Sequence, residues 1–228
     1  MRNLITHPPR LPLIAASILS ADFARMGAEC DAILNQGADL LHVDVMDGHF
    51  VPNLTMGPDM VRAVRRAVPR AFLDVHLMVR DPDRFVGPFA EAGADHLTFH
   101  IEVTGPGRAE TLAERVHALG CTAGLAFNPG TSVDDVRSLI GPFQLFLVMS
   151  VNPGFSGQAF ITDVLPKTEA IAASVKSDQR IQMDGGIKVT NSAQVRRAGC
   201  DVMVVASGLF GASPVERPRI ITELRGVQ

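Results

Sequence analysis

The chain has 228 residues, 46% hydrophobic and 20% charged, which is too apolar for a disordered chain and ordinary for a globular one. Its 21 basic and 24 acidic residues leave a formal charge of −3, so there is no general electrostatic attraction to nucleic acid or an anionic membrane. No apolar run approaches the roughly 18 residues that suggest a membrane span, and the segment from Met1 to Pro12 lacks the apolar stretch of a secretory signal. Cys30, Cys121 and Cys200 are odd in number and far apart, forming neither a disulfide framework nor a CxxC pair. A reducing cytoplasm is the expected setting.

Short β-branched or apolar runs at 13–19, 40–46, 72–79, 96–101, 122–127, 145–151, 180–183 and 202–206 predict strands. Stretches of helical periodicity separate them at 23–36, 59–67, 83–92, 109–119, 133–140, 163–175 and 192–198, and a last helix is expected over 214–224. Three helices end in related phrases: Gln36-Gly-Ala-Asp39, Glu91-Ala-Gly-Ala-Asp95 and Arg197-Ala-Gly-Cys-Asp201. Glycine there suits the left-handed position that closes a helix. Strands alternating with helices imply parallel βαβ units, and eight of them close most naturally into a single (β/α)8 barrel. An open doubly wound sheet is the alternative, but no G-x-G-x-x-G follows the first strand. Residues 1–12 read as a short N-terminal extension and 13–228 as the barrel.

On a strand, alternate residues share a face. Strand two places His42, Asp44 and Met46 on one face, with Leu41, Val43 and Val45 on the other. Strand three places Asp74, His76 and Met78 opposite Leu73, Val75 and Leu77. The aliphatic faces belong against the helices, so His42, Asp44 and His76 point into the barrel. Burying them together is expensive unless they are paired or hold a metal. A hydrogen-bonded polar cluster and a divalent metal site are both open; the His-x-Asp and His pattern favours the metal. Asp184 arrives at the C-terminal end of strand seven, the face where barrels keep their chemistry. Standing before Gly185-Gly186, it reads equally well as a turn former. Glycine-bearing loops after strand six (Asn152 to Gln158) and strand seven, with Ala206-Ser-Gly at the end of strand eight, let backbone N–H groups approach an anion and suggest a phosphate cup.

The segments Ser17-Ile-Leu-Ser-Ala-Asp22, His42 through Asn53, Leu73-Asp-Val-His-Leu-Met78, Val148 through Gln158 and Asp184-Gly-Gly-Ile187 resemble the ribulose-phosphate 3-epimerase family, over about residues 11–225. The resemblance implies a barrel of the ribulose-phosphate binding type and interconversion of D-ribulose 5-phosphate and D-xylulose 5-phosphate. It implies one divalent ion per subunit, held by His42, Asp44, His76 and Asp184. Zinc suits this donor set, and iron, manganese and cobalt occupy similar ones. It assigns acid–base roles to Asp44 and Asp184 and substrate contact to Ser17, His76 and Asp184. Phosphate contact falls to Gly154, Phe155, Ser156, Gly157, Gly185, Gly186, Ala206 and Ser207. Met46, Met78 and Met149 match methionines around the reacting carbons, a role that competes with plain core filling. A homo-oligomer acting on a small phosphosugar, with no nucleic-acid or membrane partner, is expected.

Two departures stand out. Ala206 occupies a position that is glycine in the family, where its methyl group is expected to weaken or shift the phosphate contact. Ser156 replaces another glycine, but its hydroxyl can itself donate to phosphate. Epimerisation beside a carbonyl removes a proton from one face and returns one to the other, which two carboxyl groups on different strands can do. Rival readings are an allulose-6-phosphate or other ketose-phosphate 3-epimerase, a silent phosphosugar sensor, and a metal-free lyase or isomerase on the same barrel. His96, Thr98, His100 and Glu102 read as satisfied interior polar groups on strand four, with possible support of the metal shell. His49 and Asn53 either touch substrate or shape their loop, and Cys200 is expected to be packed and inert.

Overall fold

A computed structural model describes residues 3–226; Met1, Arg2, Val227 and Gln228, at the ends of the expected extension and barrel, lie outside the described residues. Eight strands form a closed barrel in sequence order, each parallel to its neighbours. They are β1 (Leu13–Ser17), β2 (Leu40–Met46), β3 (Leu73–Met78), β4 (His96–His100), β5 (Thr122–Phe127), β6 (Leu145–Met149), β7 (Arg180–Asp184) and β8 (Val202–Val205). The helices are α1 (Met26–Asn35), α2 (Pro58–Ala67), α3 (Val86–Ala92), α4 (Ile101–Ala118), α5 (Val133–Arg137), α6 (Leu165–Ala172), α7 (Val189–Arg197), α8 (Ser207–Phe210) and α9 (Arg217–Arg225). No helix among the described residues is long and apolar enough to cross a membrane.

The expected division of faces holds. Leu41, Val43, Val45, Leu73, Val75 and Leu77 pack in one buried cluster with Cys30 and Ile33 of α1 and Val61 and Val64 of α2. Inside the barrel, Leu13, Ala15, Leu40, Leu145, Leu147 and Val202 form an apolar floor, and Ile5, ahead of β1, is buried against it. A polar layer lies above that floor: His42, Asp74, His96 and Gln182 are all fully buried. The β2–β3 register sets His42 beside Asp74, Asp44 beside His76 and Met46 beside Met78.

Several boundaries differ from the expected ones. β1 stops at Ser17, where a 3₁₀ turn begins, and β7 runs on to include Asp184. β4 ends at His100 and α4 begins at once, with a break at Gly105, so Glu102 sits on the first turn of that helix and not on the strand. The short helix α8 occupies a stretch whose Ser207-Gly208 pair reads as loop.

The repeated Gly-x-Asp phrases have a second use that the helix-ending argument did not reach. Asp39, Asp95 and Asp201 each precede a strand, and each carboxylate accepts the backbone N–H of an adjacent strand: Ile14 at 2.8 Å, Leu73 at 2.8 Å and Ile181 at 3.1 Å. These bonds satisfy N–H groups at the lower rim of the barrel. Asp39 is the most connected, also accepting Arg10 at 2.7 Å and Arg225 of α9 at 2.6 Å. Its side chain is 5% exposed, as against 11% for Arg225 and 55% for Arg10. Asp39→Ala strands a nearly buried guanidinium and is expected to cost about 3 kcal/mol, whereas Arg10→Ala costs less than about 1 kcal/mol. Urea denaturation midpoints of the two variants check this contrast.

Candidate active site

Strand alternation brings His42 and Asp44 of β2, His76 of β3 and Asp184 of β7 to the C-terminal mouth of the barrel. One donor atom from each lies within 4.8 Å of all the others. Asp44 Oδ1 stands 3.4 Å from both His42 Nε2 and His76 Nδ1, and Asp184 Oδ2 stands 4.0 Å from His76 Nδ1. Both histidines are fully buried, Asp44 is nearly so, and the Asp184 side chain is 16% exposed.

Each donor is held from behind. His42 Nδ1 lies 2.8 Å from Asp74 Oδ2, and the same oxygen accepts Gln182 Nε2 at 2.6 Å. Ser17 donates its hydroxyl to Asp44 Oδ2 at 2.6 Å. The Ser150 hydroxyl is shared between the carbonyls of Asp184 and Gly185 at 2.9 and 2.7 Å, which anchors the end of β7. The two inward ring nitrogens, His42 Nε2 and His76 Nδ1, are buried without a hydrogen-bond partner. Buried polar atoms of native proteins are normally paired, so two orphans facing two carboxylates mark a place for a further group.

The residues fit a divalent metal ion. Four donors about 2.0–2.2 Å from a common centre, arranged as a tetrahedron, are roughly 3.3–3.6 Å apart, and the two His–Asp44 separations of 3.4 Å match. Two imidazoles and two carboxylates are a borderline donor set suited to first-row divalent ions.

The titration of the group is uneven. Burial works against ionised Asp44, but His42 and His76 outweigh it and hold that carboxyl below its usual range. Burial raises Asp184, and the charge of Asp44 raises it further, to about 7. Burial likewise lowers His76 to about 4, keeping it neutral. Burial opposes a charge on His42 too, yet Asp74 and Asp44 prevail and lift it well above the usual histidine value. One carboxyl thus favours the ionised form and its neighbour the protonated form, the division that assigns a base and an acid.

The cluster forms the floor of a cleft of about 670 Å³, its open mouth included. Ser17, Met46, Met78 and Met149 line it beside Asp44 and Asp184, and the loops carrying Gly154, Phe155, Ser156, Gly157, Gly185, Gly186, Ala206 and Ser207 form its wall. All sixteen residues singled out from the sequence therefore meet here except His42 and His76, which sit just beneath in the cluster. Phe155 stands 56% exposed at the lip.

The sequence reading missed the one basic group of the cleft wall among the described residues. This is Lys188, and an exposed lysine beside a glycine turn carries no signal of its own. Asn53 donates to the carbonyl of Gly154 at 2.8 Å, clasping the β6–α6 loop to the β2–α2 loop. His49 lines a different groove with Arg80 and Arg84, outside the cleft. Cys200 is buried, and burial pushes its thiol pKa up, as expected of an inert cysteine.

The glycines after Asp184 serve packing as much as anion approach. A Cβ on Gly185 would lie 2.5 Å from Val151 Cγ2, and one on Gly186 would lie 2.6 Å from the backbone nitrogen of Phe160. Both have positive φ, 125° and 62°. Ala206, by contrast, has a negative φ of −103°.

Fold and site together define a (β/α)8 barrel whose C-terminal mouth carries four donor groups able to hold a metal ion. The profile of the ribulose-phosphate 3-epimerase family matches residues 13–210. A ribulose-phosphate 3-epimerase of Candida glabrata is 42% identical over 217 residues, covering 89% of this chain and 87% of that protein. One of Serratia marcescens is 44% identical over 202 residues, covering 87% and 95%. The crystal structure of KGPDC from Streptococcus mutans superposes with a TM-score of 0.72 at 12% identity, covering 96% of this chain and 99% of that one, which speaks to the fold alone. The chain belongs to the ribulose-phosphate 3-epimerase family and is an epimerase.

Gly186→Ala meets backbone rather than a movable side chain, so it is expected to lower the melting temperature by several degrees and raise KM for a phosphorylated substrate. Ala206→Gly should leave the melting temperature within about a degree or two and change KM by less than about threefold. Thermal denaturation and steady-state kinetics on the two variants check the pair.

Proposed function

We propose that this protein interconverts D-ribulose 5-phosphate and D-xylulose 5-phosphate, with residues 13–228 as the catalytic unit, in a reducing cytoplasm. The observation that carries the reading is the convergence of Asp44 and Asp184, held in opposite protonation preferences, with His42 and His76 beside glycine-lined loops in a chain of this family. The similar proteins of Candida glabrata and Serratia marcescens are ribulose-phosphate 3-epimerases, which supports the substrate.

In this reading the phosphate rests against the backbone N–H groups of the 154–157 and 185–186 loops and of Ala206 and Ser207, with Lys188 adding positive charge to the cleft wall. The sugar carbons lie over Met46, Met78 and Met149, whose apolar surfaces exclude water. Asp44 and Asp184 belong to β2 and β7, on different walls of the barrel, and so address different faces of C3. One carboxylate removes the C3 proton while the other, protonated, returns one to the opposite face; the roles exchange in the reverse direction. Ser17, donating to Asp44 Oδ2, fixes the orientation of that carboxylate. His42, Asp44, His76 and Asp184 would hold the divalent ion, for which zinc is the best match to the donor set. Bound there, such an ion supplies positive charge that stabilises the enediolate and orients its oxygens.

Epimerisation in heavy water tests the two-carboxyl assignment. The product should carry solvent deuterium at C3. Asp184→Asn should bind substrate while losing at least about 10²–10⁴-fold in kcat. Near wild-type epimerisation by Asp184→Asn or Asp44→Asn, with metal content confirmed, would contradict the assignment. Metal binding has its own pH signature. A donor carboxyl must be ionised, and that of Asp184 is pushed up to about 7. A donor histidine must likewise be neutral, and His42 is raised well above the usual histidine value. Affinity for zinc should therefore fall by at least roughly tenfold per unit as pH drops, more steeply below about 7 where Asp184 also takes up a proton, with proton release on binding. Chelator competition across pH 5.5–8.5 measures the slope, taking ~7 as the expected bend.

A further inference from the structure

Behind His76 runs a second chain of polar contacts, which its role as a donor leaves unexplained. His76 Nε2 lies 2.8 Å from His100 Nε2, with the ring centroids 5.0 Å apart and the ring planes 22° from parallel, so the two imidazoles meet edge to edge. On its far side His100 Nδ1 lies 3.0 Å from Glu102 Oε2. The other carboxylate oxygen of Glu102 accepts the backbone N–H of Asn128 at 2.7 Å and the Thr131 hydroxyl, both in the β5–α5 loop. That loop is braced in turn by Lys167 of α6, which donates to the carbonyls of Pro129 and Thr131. His76 and His100 are fully buried.

Proton counting gives this chain a direction. A carboxylate only accepts, and Glu102, despite burial, is held down to about 2 by His100, Asn128 and Thr131, so it is ionised. The hydrogen between His100 and Glu102 therefore resides on His100 Nδ1. A neutral imidazole has one N–H, so in the neutral form of His100 the Nε2 is a lone pair and His76 Nε2 must donate to it. The remaining nitrogen of His76, Nδ1, is then a lone pair. It is the same orphaned atom that faces Asp44 and Asp184. His42 is oriented instead by one direct carboxylate, Asp74, at its Nδ1. The two histidine donors are thus oriented by different means, one by a carboxylate inside the barrel and one by a relay ending in a loop.

We propose that Glu102 and His100 are positioning residues: Glu102, acting through His100, fixes His76 in the tautomer protonated at Nε2, presents its Nδ1 lone pair to the metal cluster, and ties that donor to the β5–α5 loop. The inference rests on the cluster being a metal site, as in the reading above, but not on the reaction proposed there. Residues behind a ligating histidine typically govern metal affinity by 10–100-fold.

The test uses the full chain labelled with ¹⁵N-histidine, freed of metal and held near pH ~8, where an ordinary histidine is neutral. Long-range ¹H–¹⁵N correlation should show His76 protonated at Nε2 and His100 at Nδ1. His100→Leu removes the acceptor and should weaken zinc binding about 10–100-fold by chelator competition, with His76 no longer held in one tautomer. His100→Gln, whose amide oxygen can accept the same N–H, should recover most of that affinity. Glu102→Gln cannot accept from His100, Asn128 and Thr131 together and should fall between the wild type and His100→Leu. His76 protonated at Nδ1 in the wild type, or unchanged zinc affinity in both His100→Leu and Glu102→Gln, would overturn the relay, as would a wild type that binds no zinc. If His100→Leu does not fold, the wild-type tautomers and Glu102→Gln decide. A wild type with the expected tautomers and tight zinc that fails to epimerise ribulose 5-phosphate would refute the proposed reaction and leave the relay standing.

Discussion

Taking His42, Asp44, His76 and Asp184 out of water together costs several kcal/mol per charge unless each is compensated, and much of the barrel's interior answers that demand. Asp74 and Gln182 brace His42 in the polar layer, Ser17 binds the rear oxygen of Asp44, and Ser150 holds the backbone around Asp184. Within the brace Asp74 Oδ1 and Gln182 Oε1 have no partner, and in the cluster the unpartnered buried atoms are two ring nitrogens that face the carboxylates of Asp44 and Asp184. A divalent cation in the cluster satisfies both nitrogens and both carboxylates at once, whereas a protein hydrogen bond would satisfy only one or two. Desolvation pushes both carboxyls toward the protonated form, but His42 and His76 hold Asp44 ionised against it, and the charge of Asp44 inclines Asp184 further to keep its proton.

The division of labour between strands and loops follows from this. Groups that must be held within a few tenths of an ångström come from β2, β3 and β7, where backbone pairing on both sides fixes the register. The groups proposed to meet the phosphate come from loops held by few side-chain hydrogen bonds, among them the long-range Asn53 clasp on Gly154 and the local Gln158 contacts to Asn152 and Phe155. The apolar floor beneath the polar layer keeps water from entering through the opposite end, with Ile5 buried against it. The β5–α5 loop is the exception among the loops, since it is stitched to the cluster through Glu102 and His100 and to α6 through Lys167.

Most of this was legible in the sequence where a strict period applies. Alternation along 40–46 and 73–78 separates His42, Asp44 and His76 from the aliphatic residues that pack on α1 and α2, and the structure keeps that separation. The glycine loops after Asp184 and Asn152 suggest an anion site in the sequence, but their packing role was not legible there, because Val151 and Phe160 are brought against Gly185 and Gly186 only by the closed barrel. Glu102 was misplaced on strand four because the apolar run through Ile101 hides where the helix takes over from the strand. The second use of Asp39, Asp95 and Asp201 was also hidden: a Gly-x-Asp phrase announces a helix end, while the strand N–H that the carboxylate caps lies at least 20 residues away in the chain. Pairings across β2, β3, β4 and β7 carry no local pattern, so the braces behind the donors emerge only in three dimensions.

The central claim is that the four-donor cluster is the metal centre on which epimerisation depends. The most direct measurement is a zinc titration of rigorously metal-free protein in which bound metal and conversion of ribulose 5-phosphate are followed together. The account expects negligible turnover at the start, a linear rise as zinc binds, and a plateau at one ion per chain, with no such rise in a variant lacking His42 and His76. Full turnover by protein shown to contain no metal, or saturation of activity unconnected to occupancy of this cluster, would contradict it.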